Sequence, residues 1–210
     1  MKRLAVLVSG GGSDLQVIID GIEKGDIHGE IAVVISDKEE AYALTRAANA
    51  GIQTEVIARK DFKEYYEDKT AFTKAYLDTL AQYGVDGIVM AGFLSILGPE
   101  MIAAYPNKII NIHPALIPSF CGKGFYGMKV HKAVIAAGVK LSGVSIHFAD
   151  EGTDTGPIIA QRAVEVKDDD TAEILQKRVL AAEHVLLPEV VAWFCDDRLE
   201  VQGNKVIIKK

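Results

Sequence analysis

At 210 residues, 49% hydrophobic and 25% charged, the chain has an ordinary globular composition and the length of one domain or two tightly joined halves. Its formal net charge of −6 excludes a general nucleic-acid surface, which needs a basic face, while a small phosphate can still be held by a nest of backbone N–H groups. The two cysteines, Cys121 and Cys195, stand far apart and in no metal spacing, so neither a disulfide framework nor a metal site is indicated, and a reducing cytoplasm fits.

The apolar run Leu4–Ser9 predicts a buried strand that passes straight into glycines. It is too short for a signal peptide and lacks a cleavage site. Asp14–Lys24 predicts a helix with Leu15, Ile18, Ile19 and Ile22 on one face. Ile31–Ser36 predicts a second strand, Glu40–Asn49 a helix stopped by Gly51, and Thr54–Ala58 a third strand. Asp61–Tyr83 is expected to be mostly helical. Gly87–Ala91 predicts a fourth strand, Pro99 opens a short helix, and Ile109–Ile112 predicts a fifth strand. Strand–helix repeats of this size imply parallel strands with right-handed crossovers, and Val/Ile/Leu runs suit a sheet covered on both faces. Further on, the glycines of Phe120–Gly127 mark a loop, and Lys129–Ala137 predicts a helix. Val144–Phe148 and Ile158–Val166 predict strands joined by the acidic segment Ala149–Gly156. Thr171–Phe194 predicts a long helix capped by Asp170 or Thr171, with Pro188 as a kink, and Arg198–Ile208 a hairpin around Gly203-Asn204. The expected class is α/β: a doubly wound, mostly parallel sheet with an antiparallel C-terminal addition. No apolar stretch is long enough to span a membrane.

Three segments carry chemistry. Ser9-Gly10-Gly11-Gly12-Ser13-Asp14 joins a strand to a helix, where glycines let the backbone approach a ligand and the helix N-terminus offers free N–H groups to an anion. The rival dinucleotide pattern fails because Leu15 stands at its third glycine, and no Gly-Lys-Ser/Thr follows to make a nucleotide-triphosphate loop. Asn111-Ile112-His113-Pro114 closes the fifth strand. In extended backbone Asn111 and His113 project to one side, bringing together an amide that can bond an oxyanion and an imidazole that can move a proton. Taken singly, His113 reads equally well as a satisfied structural histidine. Asp150, Glu151 and Asp154 share one turn before Gly156-Pro157. Asp150 and Glu151 read as solvated charges, whereas Asp154, if it lay near His113, would favour the imidazolium and raise its pKa.

The pieces VSGGGSDLQ, VMAGFLSIL, NIHPALIP, VSIHFADEGTDTGPII and AAEHVLLP resemble the glycinamide ribonucleotide formyltransferases along nearly the whole chain. That resemblance implies a Rossmann-like formyltransferase fold in one domain, with a phosphate-binding half over about 1–100 and a catalytic, folate-binding half over 101–210. It implies formyl transfer from 10-formyltetrahydrofolate to a sugar-phosphate amine in purine synthesis, without a metal or a covalent intermediate. By the resemblance Asn111, His113 and Asp154 are catalytic. Gly12, Ser13 and Asp14 receive the phosphate and Glu183, otherwise an exposed helix residue, the ribose. Leu94, Ser95, Ile96 and Leu97 receive the pterin, and Lys69 corresponds to a basic residue that meets the folate. Two positions depart from the family: Asp14 stands where Asn is common, and Ser95 where many bacterial members carry Arg. Small-molecule partners, no nucleic acid, no membrane, a cytoplasmic location and a monomer or homodimer are expected. His131 and His147 read as structural, and Cys121 lacks a nucleophile signature. The alternatives are a formyl-folate enzyme acting on another amine and a non-catalytic folate or nucleotide module.

Overall fold

The computed structural model describes residues 1–210 and divides into two compact units, Met1–Ile110 and Asn111–Lys210. In the first, β1 (Lys2–Val8) runs into α1 (Ser13–Lys24), followed by β2 (Gly29–Ser36), α2 (Tyr42–Asn49), β3 (Thr54–Val56), α3 (Thr70–Gln82), β4 (Gly87–Met90) and α4 (Pro99–Ala104). The strand order is β3-β2-β1-β4, and all three pairings are parallel. Leu4, Ala5, Val6, Leu7 and Val8 are fully buried, as expected for a parallel strand paired along both edges. Gly25, in the left-handed region, ends α1 and its N–H bonds the helix carbonyls Gly21 and Ile22.

One expected helix is shorter than its sequence suggests. Within Asp61–Tyr83 only Thr70–Gln82 is α-helical, preceded by a 3-10 turn at Arg59–Asp61. The Asp68 carboxylate accepts the Thr70 N–H at 2.8 Å, a local bond that favours a start there over a continuous helix. Phe62 and Tyr65 fold back instead onto Phe72, with ring centroids 5.2 Å and 4.9 Å away.

β5 (Ile109–His113) spans the division between the units. The second unit continues through α5 (Met128–Ala137), β6 (Leu141–Phe148), β7 (Ile158–Glu165), α6 (Ala172–Cys195), β8 (Leu199–Gln202) and β9 (Lys205–Ile208). Its strand order is β5-β6-β7-β9-β8, with β6/β7 and β8/β9 antiparallel and β7/β9 parallel. The fold is therefore the mixed α/β type expected, parallel first and antiparallel at its C-terminal end. Thr171 caps α6 by accepting the Ile174 N–H, and Leu175, Val179, Ala182, Leu186 and Val190 form its buried face. A register shift in the β6/β7 ladder falls between Ile146 and His147, the kind of irregularity that re-aims a side chain. No helix is long and apolar enough to cross a membrane.

Candidate active site

The end of β5 brings Asn111 and His113 to one side, and the turn after β6 brings a carboxylate to meet them. His113 Nδ1 lies 3.5 Å from Asp154 Oδ2, and Asn111 Nδ2 donates to Asp154 Oδ1 at 3.4 Å. The period-two reading of this segment and the distant acidic turn thus converge in one cluster. Asp154 has φ 60°, a left-handed conformation that Asp tolerates better than most side chains. Its turn is held tightly. Asp150 Oδ1 accepts from the Thr155 hydroxyl at 2.6 Å and the Gly152 N–H at 3.1 Å, so Asp150 is a turn-forming group as well as a solvated charge. At Gly156 a Cβ would sit 1.9 Å from the Phe148 carbonyl oxygen, so only glycine lets the chain pass there.

His147, read from the sequence as structural, also belongs to the cluster. Its Nδ1 donates to the Phe148 carbonyl at 2.9 Å, which turns Nε2 towards Asn111 and Asp154. Asn111 Nδ2 approaches that Nε2 at 3.1 Å, and Asp154 Oδ1 lies 3.6 Å from it. The two N–H bonds of the Asn111 amide are therefore directed at His147 and Asp154. His113 Nε2 donates to the Phe120 carbonyl at 2.9 Å, and the Gly122 N–H donates to Asp154 Oδ2 at 2.9 Å. The glycine-rich segment 120–127 thus closes over the cluster through backbone groups alone.

The electrostatics correct one expectation. Burial pushes the His113 pKa down, and this outweighs the Asp154 charge and the Phe120 carbonyl, which both raise it. The carboxylate favours the imidazolium as predicted, but desolvation of a ring only 4% exposed wins. For Asp154, burial alone would raise the carboxyl, yet the His147 contact, the Gly122 N–H and the His113 charge together hold it below the usual range. Cys121 is half-buried, and burial with the nearby Asp154 charge pushes its thiol up, the wrong direction for a nucleophile. His131 on α5 is buried, its pKa lowered first by burial and then by His113, and its Nδ1 has no hydrogen-bond partner. Glu183, expected to be exposed, is 7% exposed on α6, because it shares the helix face of Val179 and Leu187 at four-residue spacing.

In the first unit, Gly12 takes φ 71° as the N-cap of α1, with Ser13 and Asp14 in the first turn and no side chain capping the helix. The loop after β4 is tied to the end of β1, since the Leu94 N–H donates to Ser9 Oγ at 2.8 Å. Leu94 and Ile96 are exposed, whereas Ser95 turns inward and donates to the fully buried Asp37 carboxylate, whose other neighbour is Arg59 Nε at 3.7 Å. Lys69 lines the same shallow hollow as Ile96 and Leu97, its ammonium 5.8 Å from the Tyr65 ring centroid.

A family profile described as formyl transferase matches residues 2–191. A chloroplastic phosphoribosylglycinamide formyltransferase of Vigna unguiculata is 47% identical over 198 residues, 94% of this chain and 62% of the relative. The chain thus spans less than two thirds of that relative's length. It covers 92% of the phosphoribosylglycinamide formyltransferase of Haemophilus influenzae, 39% identical over 97% of this chain. Among solved structures, glycinamide ribonucleotide transformylase 1 from Symbiobacterium toebii superposes with a TM-score of 0.92 at 40% identity, covering 100% of this chain and 95% of that one.

Proposed function

The chain belongs to the formyl transferase family, and from that premise we propose that it transfers the formyl group of 10-formyltetrahydrofolate to the amine of phosphoribosylglycinamide in purine synthesis. The observation that carries the reading is the meeting of Asn111, His113 and Asp154 at the end of β5. An amide, an imidazole and a carboxylate within hydrogen-bond or ion-pair reach suit acyl transfer between nitrogens. Relatives named phosphoribosylglycinamide formyltransferase, matching nearly the full chain, support formyl transfer to that acceptor.

The amine nitrogen attacks the formyl carbon, and the formyl oxygen takes up the negative charge. Asn111 Nδ2 and the His113 ring are the donors for that oxyanion, once the substrate replaces their present partners His147 and Phe120. Burial favours the neutral His113 ring, and the Asp154 charge is the main opposing influence, stabilising the ring when it carries a proton; Asp154 also orients a water for proton transfer. The C–N10 bond then breaks. The attacking nitrogen loses one proton and N10 gains one, so the step is proton-neutral and needs no redox partner. Gly12, Ser13 and Asp14 receive the phosphate at the N-terminus of α1, and Glu183 the ribose. Leu94–Leu97 and Lys69 receive the folate, and the reaction is placed in the cytoplasm.

The test is a mixing assay in which purified protein, 10-formyltetrahydrofolate and the ribonucleotide are combined and folate absorbance is followed. Turnover is expected. Binding of both compounds without turnover identifies a non-catalytic module, and turnover only with another amine identifies a different formyl-folate enzyme.

A further inference from the structure

The glycine turn after β1 is seated on α2, and the seating has a definite geometry. The Ala43 N–H donates to the Gly10 carbonyl at 3.0 Å, and Arg46 Nε donates to the Gly11 carbonyl at 2.8 Å. Arg46 Nη1 also reaches Gln16 Oε1 on α1 at 3.1 Å, and its guanidinium stacks 5.1 Å from the Tyr42 ring centroid. At Gly12 a Cβ would lie 2.6 Å from the Ala43 Cβ, so the turn and α2 touch backbone to side chain with no spare room.

A trans peptide is planar, and its C=O and N–H point in opposite directions. Fixing the Gly10 carbonyl towards α2 therefore aims the Gly11 N–H away from α2. Fixing the Gly11 carbonyl on Arg46 does the same for the Gly12 N–H. Cβ positions at Gly10 and Gly11 meet nothing within 4 Å, so packing does not close in these two residues. Arg46 also brings a positive charge to the Gly11 carbonyl of the turn.

We propose that Arg46 is a positioning residue for the phosphate of the ribonucleotide: from α2 it locks the Gly11–Gly12 peptide so that its N–H faces the anion. This rests on the phosphate-turn reading above and extends it to an element outside the turn. Glycines supply close approach at the cost of backbone freedom, and the two bonds from α2 remove that freedom before the ligand arrives.

The experiment compares R46A and R46K with the unaltered protein, measuring steady-state constants for both substrates and the binding of the ribonucleotide against its dephosphorylated riboside. Loss of a charge-assisted bond predicts that R46A raises KM for the ribonucleotide about tenfold or more, with kcat and the folate KM within about twofold. The riboside should bind R46A and unaltered protein alike. R46K keeps the charge without the planar fork and should fall between them; it also serves if R46A is too unstable to assay. Equal weakening of ribonucleotide and riboside, or no weakening of either, overturns the inference. If unaltered protein binds the two ligands equally, the phosphate-turn reading itself fails, and the inference with it.

Discussion

Replacing Asp154 by Asn keeps the shape of the side chain and removes its charge, so it isolates what the carboxylate does for His113. Both side chains are buried, 9% and 4% exposed, and the closest approach is 3.5 Å. At an effective dielectric near 20, unit charges at that distance attract by about 4–5 kcal/mol, an upper bound on what the imidazolium loses. At about 1.4 kcal/mol per tenfold, the rate is expected to fall by about 10²–10³. Burial already holds the His113 pKa below its ordinary value, with Asp154 the main opposing influence. Without that influence the neutral ring is favoured further, and the alkaline limb of the rate profile moves to lower pH. The assay is kcat/KM across pH for D154N, with circular dichroism to show that the fold persists. A rate within about threefold of the unaltered protein, with an unmoved profile, refutes the claim that the Asp154 charge stabilises the protonated His113 ring in the reaction.

Other outcomes follow from the same coordinates. Gly156→Ala places a methyl where the Phe148 carbonyl oxygen already lies, so the turn bearing Asp154 must shift; activity should fall about 10²-fold or more while folate binding persists, read by steady-state kinetics and folate titration. Ser95→Ala removes a donor to the buried Asp37 carboxylate and should destabilise the protein by about 1.5–3 kcal/mol in urea unfolding; an unchanged midpoint contradicts this. His113 and His131 both have pKa values lowered by burial, so between those values and about 6.5 the unfolded chain binds more protons. Their stabilising contribution is present above pH 6.5 and is lost as pH falls through the folded values. The thermal unfolding temperature should therefore fall on acidification, and His131→Gln should flatten that dependence.

Local chemistry near a strand end was legible in the chain, because Asn111 and His113 obey a period-two rule that no distant contact alters. The strand–helix alternation was legible for the same reason, since Leu4–Val8 and Val33–Ile35 are continuous apolar runs that only a covered sheet accommodates. Asp154 was legible only through resemblance, because forty-three residues of chain separate it from Asn111. His147 reads from the sequence as structural, and the fold adds its contacts with Asn111 and Asp154. Its place on β6, two residues from the buried Ser145, marks an inward face, but nothing local says that Asn111 waits across it. Glu183 is buried because its four-residue spacing from Val179 and Leu187 puts it on the apolar stripe of α6, although a carboxylate by type suggests exposure. The net direction of the His113 pKa was not legible at all, since burial is set by the whole packed unit.

The most direct test of the account is His113→Ala, assayed for folate binding and for formyl transfer to the ribonucleotide in the same preparation. Folate affinity is expected within about threefold of the unaltered protein and turnover reduced about 10²–10⁴-fold, the range for loss of a proton-transferring, oxyanion-bonding side chain. Undiminished formyl transfer in that variant would place the chemistry elsewhere and contradict the assignment of the β5 end as the reacting centre.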